Sequence, residues 1–194
     1  MGFMKTIIRT IREEEIPKIA QFFGASKWNL STKKDDLERL LTTQFHRQES
    51  LLNAIFEKES GVVLGAIMAT GKGDTVWITN LWAKEEGFYE LVKKLVMVEE
   101  KVCRHYGYSQ IFLAALVAQK NFLITLGYKP RLLFTFSTHR KELFNLFSEL
   151  YPLWIEAGGQ EVKVLLGGDH LDESIKSELR NYPLKTDYLF LKYL

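Results

Sequence analysis

Apolar positions recur along the first two-thirds of this chain with a period of two and then of three to four, and their order predicts strands interrupted by helices. Residues 51–57 and 62–70 are strand-like runs around Lys58-Glu59-Ser60-Gly61, whose glycine suits the positive φ of a tight hairpin. Gly71-Lys72-Gly73-Asp74 turns the chain into residues 75–83, so three strands form an antiparallel meander. After Lys84-Glu85-Glu86-Gly87 the spacing lengthens. Phe88, Leu91, Val92, Leu95, Val98 and Val102 fall on one helical face, and Gly107 ends the helix. Residues 110–116 read as a buried strand, and residues 118–126 as a brief helix stopped by Gly127 and Pro130. A crossover helix over residues 87–106 is long enough to lay 110–116 parallel to 75–83 in one sheet.

Upstream, residues 5–9 read as a strand and 12–20 as a helix. Leu37, Leu40, Leu41 and Phe45 give residues 33–45 a helical stripe that Ser31 or Thr32 can cap. Beyond Pro130, residues 132–137 read as a strand. Residues 139–156 read as a helix with Leu143, Phe144, Phe147, Leu150 and Tyr151 on one stripe, interrupted by Pro152 and ended by Ala157-Gly158-Gly159. Residues 161–166 return as a strand, 172–180 as a charged helix capped by Asp172, and 186–193 as a strand in which Tyr188, Phe190 and Lys192 oppose Leu189, Leu191 and Tyr193.

The stretch from residue 51 to Leu126-Gly127-Tyr128-Lys129-Pro130 has a Leu-Gly-aromatic closing its short helix. With the opening Lys5-Thr6-Ile7-Ile8-Arg9 and the helix of residues 12–20, it resembles the GNAT superfamily of acyl-CoA-dependent N-acyltransferases. The resemblance implies an α+β fold of three layers, with a mixed central sheet, flanking helices and a C-terminal α/β extension. Residues 1–130 are then the acyltransferase domain. Residues 131–194 are an extension packed on the same sheet, for which a degenerate half-repeat is one reading, because no Ser/Gly-rich or Pro-rich linker precedes it.

The same resemblance implies acetyl-CoA or another acyl-CoA as co-substrate and a small-molecule or protein amine as acceptor. In the family a Gly-rich loop after the fourth strand presents backbone N–H groups at a helix start to the CoA pyrophosphate. The corresponding stretch here is Lys84-Glu85-Glu86-Gly87-Phe88-Tyr89, with one glycine and two carboxylates, so the implied cofactor contacts are Leu81, Trp82, Ala83, Lys84, Glu86, Gly87, Phe88 and Tyr89. A family tyrosine that protonates the departing thiolate lies four residues before the signature glycine, and here that position is Leu123. Tyr128 and Tyr89 are the remaining candidates for that acid. Strand 75–83 carries no carboxylate to act as base, with Asp74 before it and Glu85 and Glu86 after it. Trp28 lies on the connection that walls the acceptor site in this family, and reads either as core packing or as lining for the amine's organic portion.

Composition adds bounds. The chain has 194 residues, of which 46% are hydrophobic, sufficient for one full core or for a domain plus a half-sized addition. The absence of an apolar run near 20 residues, and of a basic-plus-apolar leader, predicts a soluble, cytoplasmic protein without a membrane partner. A net charge of +2 with dispersed basic residues argues against a nucleic-acid surface. His46, His105, His139 and His170 form no ligand spacing, so no metal is expected. Cys103, the only cysteine, reads as a small buried thiol rather than a nucleophile. Gly167-Gly168 lacks the Gly-Lys-Ser/Thr ending of a phosphate loop and reads as a turn. Phe144, Phe147, Tyr151 and Trp154 divide between core packing and a homodimer contact. Two functions follow: an acyl-CoA-dependent N-acetyltransferase, or a non-catalytic module of the same fold that binds a ligand or a partner.

Overall fold

A computed structural model describes residues 5–25, 34–48, 51–114, 120–150, 152–167, 177, 179–180, 182 and 184–194. They belong to two compact units, Met1–Leu113 with Tyr193–Leu194, and Ala114–Lys192.

In the first unit, β1 (Thr6–Thr10), β2 (Leu52–Glu57), β3 (Val63–Lys72) and β4 (Thr75–Ala83) are neighbours in that order and antiparallel. The 18-residue helix α3 (Phe88–His105) leads to β5 (Gln110–Ala114), which pairs parallel with β4, as the crossover spacing predicts. Both hairpins turn on glycines with positive φ, 65° at Gly61 and 62° at Gly73.

α1 (Ile16–Gly24) and α2 (Lys34–Gln48) cover one face of the meander. Pro17 in the first turn of α1 lacks an N–H that the helix could not have used. Ile16, Ile19, Ala20 and Phe23, spaced three and four apart, meet Leu37 and Leu41 of α2 and Leu52, Ala54, Phe56, Ala66, Met68 and Trp82 of the sheet. Each large aliphatic side chain buried there contributes roughly 1.5–3 kcal/mol. The stripe on α2 is narrower than its sequence suggests: Leu40 is exposed, and its place in the packing goes to the buried Gln44. α3 packs against β2, β3 and β4. Its inward face also departs from the expected one, since Val98 and Val102 are only half-buried while Val96, Glu99, Glu100 and Cys103 are buried with Leu91, Val92 and Leu95.

In the second unit, β6 (Lys129–Ser137) lies between β9 (Lys185–Tyr193) and β8 (Glu161–Gly167), and β7 (Trp154–Gly158) follows β8, all antiparallel. α4 is Lys120–Thr125 and α5 is Lys141–Glu149. A helix over residues 139–156 is therefore not what forms. α5 ends at Glu149, and Trp154–Gly158 becomes a strand because it pairs residue for residue with Glu161–Leu165 around the Gly159 turn, φ 61°. Ala157-Gly158-Gly159 thus closes a hairpin rather than a helix. Phe147 is fully buried against Phe134 and Phe136, with ring centroids 5.0 and 5.4 Å away, whereas Phe144 is exposed. The alternation expected of residues 186–193 also fails, since consecutive Leu189, Phe190 and Leu191 are all buried, as in a strand covered on both faces. Most of the expected helix of 172–180, its Asp172 cap, Ser31, Thr32, Gly168, His170 and Tyr151 lie outside the described residues, as does the Trp154 side chain.

Candidate functional site

The site is built where β4 changes its relationship to both neighbours. Met68 of β3 faces Asn80, but the next residue, Ala69, faces Ile78, so Thr79 is one residue too many on β4. This is a β-bulge, a feature that re-aims the strand beyond it and is over-represented beside active sites. The Thr79 hydroxyl donates to the Met68 carbonyl across it at 3.2 Å. On the other side of β4, Thr75–Ile78 pair with Gln110–Leu113, and among the described residues the ladder stops there. The bulge falls where the described pairing of β4 with β5 ends, and beyond it Asn80–Ala83 continue the antiparallel ladder with β3.

Side chains around the bulge alternate by register. Trp77 stacks on Phe112 with centroids 4.5 Å apart and planes 14° from parallel. Asn80, on the same face of β4, is half-exposed and its amide makes no hydrogen bond among the described residues. Trp82 is buried and meets the Phe88 ring edge-on at 5.6 Å.

β4 then opens into the loop before α3. Lys84, Glu85, Glu86 and Gly87 are all exposed. Gly87 caps α3 with φ 75° and ψ 19°, and a Cβ placed there would meet nothing within 4 Å. The first helical hydrogen bond runs from the Leu91 amide to the Gly87 carbonyl at 3.0 Å, while the Phe88 amide is turned onto Glu85 O at 3.2 Å. The positive end of the helix dipole therefore lies at an exposed, glycine-cornered loop.

No protein-family model matches the sequence, and no curated protein matches it. Among solved structures, the chain is similar to the polyamine N-acetyltransferase of Drosophila melanogaster, which forms N-acetylagmatine (11% identity over 98% of this chain and 100% of that one, TM-score 0.58). It is also similar to a Pyrococcus horikoshii protein assigned as an acetyltransferase (14% identity, 70% of this chain, TM-score 0.56), of which it spans about half, 48%. A third likeness is to N-acetylglutamate synthase from Neisseria gonorrhoeae, solved with coenzyme A and N-acetylglutamate (12% identity, 100% of this chain and 36% of that one, TM-score 0.52). The chain has the GNAT fold.

Within that fold the anticipated cofactor residues are contiguous in space. Leu81 is half-buried and Ala83 fully buried in β4, Trp82 and Phe88 form one aromatic contact, and Lys84, Glu86, Gly87 and Tyr89 are exposed around the start of α3. Tyr89 lies edge-on to Phe88 at 5.5 Å. The second acid candidate is in a different setting: Tyr128 is 1% exposed in the second unit, with the Lys192 ammonium 5.4 Å from its ring centroid. Leu123 is likewise buried, and its carbonyl accepts from the Tyr128 amide at 3.1 Å. Trp28 lies outside the described residues. Cys103 is buried, and loss of water together with nearby Glu99 and Glu100 pushes its thiol up to about 12.

Three polar features escaped the sequence reading. Glu99 of α3 is fully buried and bonded to Asn53 of β2 at 2.9 Å. A signal for it existed: Glu99 sits four residues after Leu95 and seven after Val92, on the same helical row. Asn80 is half-exposed beside the bulge. Gln44 and Gln48 complete the edge of β3 where β2 ends. Gln44 donates to the Ala69 carbonyl at 2.7 Å, and Gln48 accepts from the Gly71 amide at 2.7 Å, so side-chain amides stand in for a missing strand. No helix among the described residues is long and apolar enough to cross a membrane, and no group of three or more described His, Cys, Asp or Glu side chains is placed to hold a metal.

Proposed function

We propose that this chain transfers an acyl group, most simply acetyl, from an acyl-CoA to an amine. The observation that carries this reading is the bulge at Thr79, beyond which β4 leads directly into the Gly87-cornered start of α3. The residues present fit coenzyme A. The open space around Gly87 admits a pyrophosphate close to the backbone, Lys84 is exposed beside it, and both Glu85 and Glu86 are exposed and able to turn away. The bound acyl-CoA supplies an activated thioester. In this reading the β4 backbone over Thr79–Ala83 holds the thioester arm and polarises its carbonyl.

In the transfer, the amine nitrogen forms the new C–N bond while the C–S bond breaks, the nitrogen loses a proton and the thiolate gains one. Positioning and oxyanion stabilisation supply most of the acceleration in this scheme. Tyr89, exposed at the loop, is the better placed of the two tyrosines to reach a solvent-side leaving group, because Tyr128 is buried. The Trp77–Phe112 stack and the Asn80 amide form the wall offered to an acceptor. The burial of both Leu123 and Tyr128 favours one second reading, a ligand-binding module of the same fold that performs no transfer.

Calorimetry and thermal shift with acetyl-CoA test the binding half. A ligand at a hundredfold excess over Kd stabilises the fold by about 2.7 kcal/mol, raising Tm by roughly 5–11 °C for a chain of this size. Gly87→Pro should remove the effect, because proline holds φ near −65° where the turn needs +75°. Absence of any acetyl-CoA effect on the native protein sinks both the enzyme and the CoA-binding module. Free-thiol release over an amine panel then separates the two.

A further inference from the structure

Glu99 has no part in the reading above, yet it is the most isolated ionisable group among the described residues. Its side chain is wholly buried on α3 between Leu95 and Cys103, one helical turn away on either side and equally buried. One carboxyl oxygen, Oε2, accepts from Asn53 Nδ2 at 2.9 Å. The other, Oε1, is buried with no hydrogen-bond partner among the described residues. Asn53 is held in turn from β1, where the Thr10 hydroxyl donates to its Oδ1 at 3.3 Å. The chain Thr10–Asn53–Glu99 thus ties two strands to the long helix through an apolar layer.

Among the described residues no cation answers this carboxyl. On α3 itself the neighbouring groups are Cys103, Glu100 and Arg104, and the arginine, half-exposed, is engaged by Glu100 at 3.7 Å. The residues of β3 and β4 that share the Glu99 side of the sheet, Ile67, Ala69, Val76, Ile78 and Leu81 among them, include none that is ionisable. On β2 the only ionisable group is Glu57, at the far end of the strand and bonded to Ser60. On β1 the only one is Arg9, turned to Glu15 at 2.7 Å and to the Phe56 ring. An ionised Glu99 would have a single neutral donor for its whole charge, a situation that ordinarily neutralises the group instead.

We infer that Glu99 is a proton-held latch: as a neutral acid it fastens α3 to Asn53, and its ionisation loosens the helix from the sheet. The direction of the pH effect follows. Burial raises the carboxyl to about 7, with the Asn53 hydrogen bond pulling weakly the other way. The folded state therefore keeps the proton after the unfolded chain has lost it. Stability is full below the ordinary carboxylate range, falls as pH rises from about 4.5 towards 7, and is flat beyond. The helix so held is the one whose first turn takes the pyrophosphate in the proposed function; that coupling rests on the acyl-CoA reading, and the latch does not.

Urea denaturation of the full chain at pH 5 and pH 8 tests the latch, comparing native protein with Glu99→Gln, which keeps the shape and the Asn53 contact without a charge. The folding constant of the native protein should fall between the two pH values by on the order of 10²-fold more than that of the variant. Equal pH dependence in the two proteins overturns the latch. Should Glu99→Gln fail to fold, a ¹³C-carboxyl NMR titration of the native protein decides: a buried glutamate titrating near 7 supports the latch, and none titrating above 5.5 overturns it. Acetyl-CoA affinity at pH 6 and 8 tests the coupling, expected to weaken more with pH in native protein than in Glu99→Gln. Failure of acetyl-CoA to bind either protein would refute the acyl-CoA reading while the denaturation result still stands.

Discussion

Replacing Gly71 by alanine perturbs one contact whose partners are all visible. Gly71 lies near the end of β3 with its amide on Gln48, and a Cβ added there would run into the Tyr108 ring, on its hydroxyl and 2.6 and 2.8 Å from Cζ and Cε1. Real carbon atoms do not approach so closely, so either the strand or the ring must move, and the half-exposed ring is the softer of the two. Swinging it out breaks the Gln48–Tyr108 hydrogen bond, now 3.2 Å, at about 1 kcal/mol. It also forfeits the ring's packing, for about 1 kcal/mol more, at the low end of the range for overpacking. Against this, alanine restricts the unfolded chain and returns about 0.4–1 kcal/mol, because Gly71 is not among the glycines of positive φ. The net loss is about 1–2 kcal/mol, read as a lower urea midpoint at constant m and a Tm fall of roughly 2–8 °C. The decisive measurement is the double-mutant cycle with Tyr108→Ala. With the ring gone only the chain-entropy term remains, so Gly71→Ala should become stabilising by about 0.5 kcal/mol. If Gly71→Ala destabilises the Tyr108→Ala protein as much as the native one, the clash is not the cause and the account of this corner is wrong.

Two further substitutions and reagents probe the remaining claims. Leu123→Tyr, which would restore the acid position of the GNAT pattern, should lower stability by about 1–3 kcal/mol through overpacking and leave turnover unimproved, since residue 123 is buried; increased acyl transfer with unchanged Tm would show that the position opens to the cleft after all. Cys103, with its thiol pushed up to about 12, should resist a chromogenic disulfide reagent at pH 8 in the native protein and react fully in denaturant; rapid labelling of the folded chain would contradict its burial.

The sequence by itself determined what depends on neighbours in the chain. Residue spacing placed the three-stranded meander, the crossover helix and the parallel fifth strand, because periods of two and of three to four are properties of single elements and the length of a crossover limits which strands it can join. Gly61, Gly73, Gly87, Gly107 and Gly127 all take positive φ where the chain turns or a helix begins or ends, a local demand that glycine meets without help. Tertiary structure decided the rest. Residues 154–156 read as the end of a helix until β8 offers them a ladder, and consecutive Leu189, Phe190 and Leu191 of β9 are all buried. Thr79 becomes a bulge only through the register of its strand with Met68 and Ala69, which makes it invisible in a run as regular as Thr75–Ala83. Gln44, Gln48 and Glu99 look like solvated helix positions by residue type, and each is drawn inward by a partner 20 or more residues away, at Ala69, Gly71 and Asn53. Burying a polar group is tolerable only where such a partner exists, and a partner supplied by another element leaves no periodic mark in the chain.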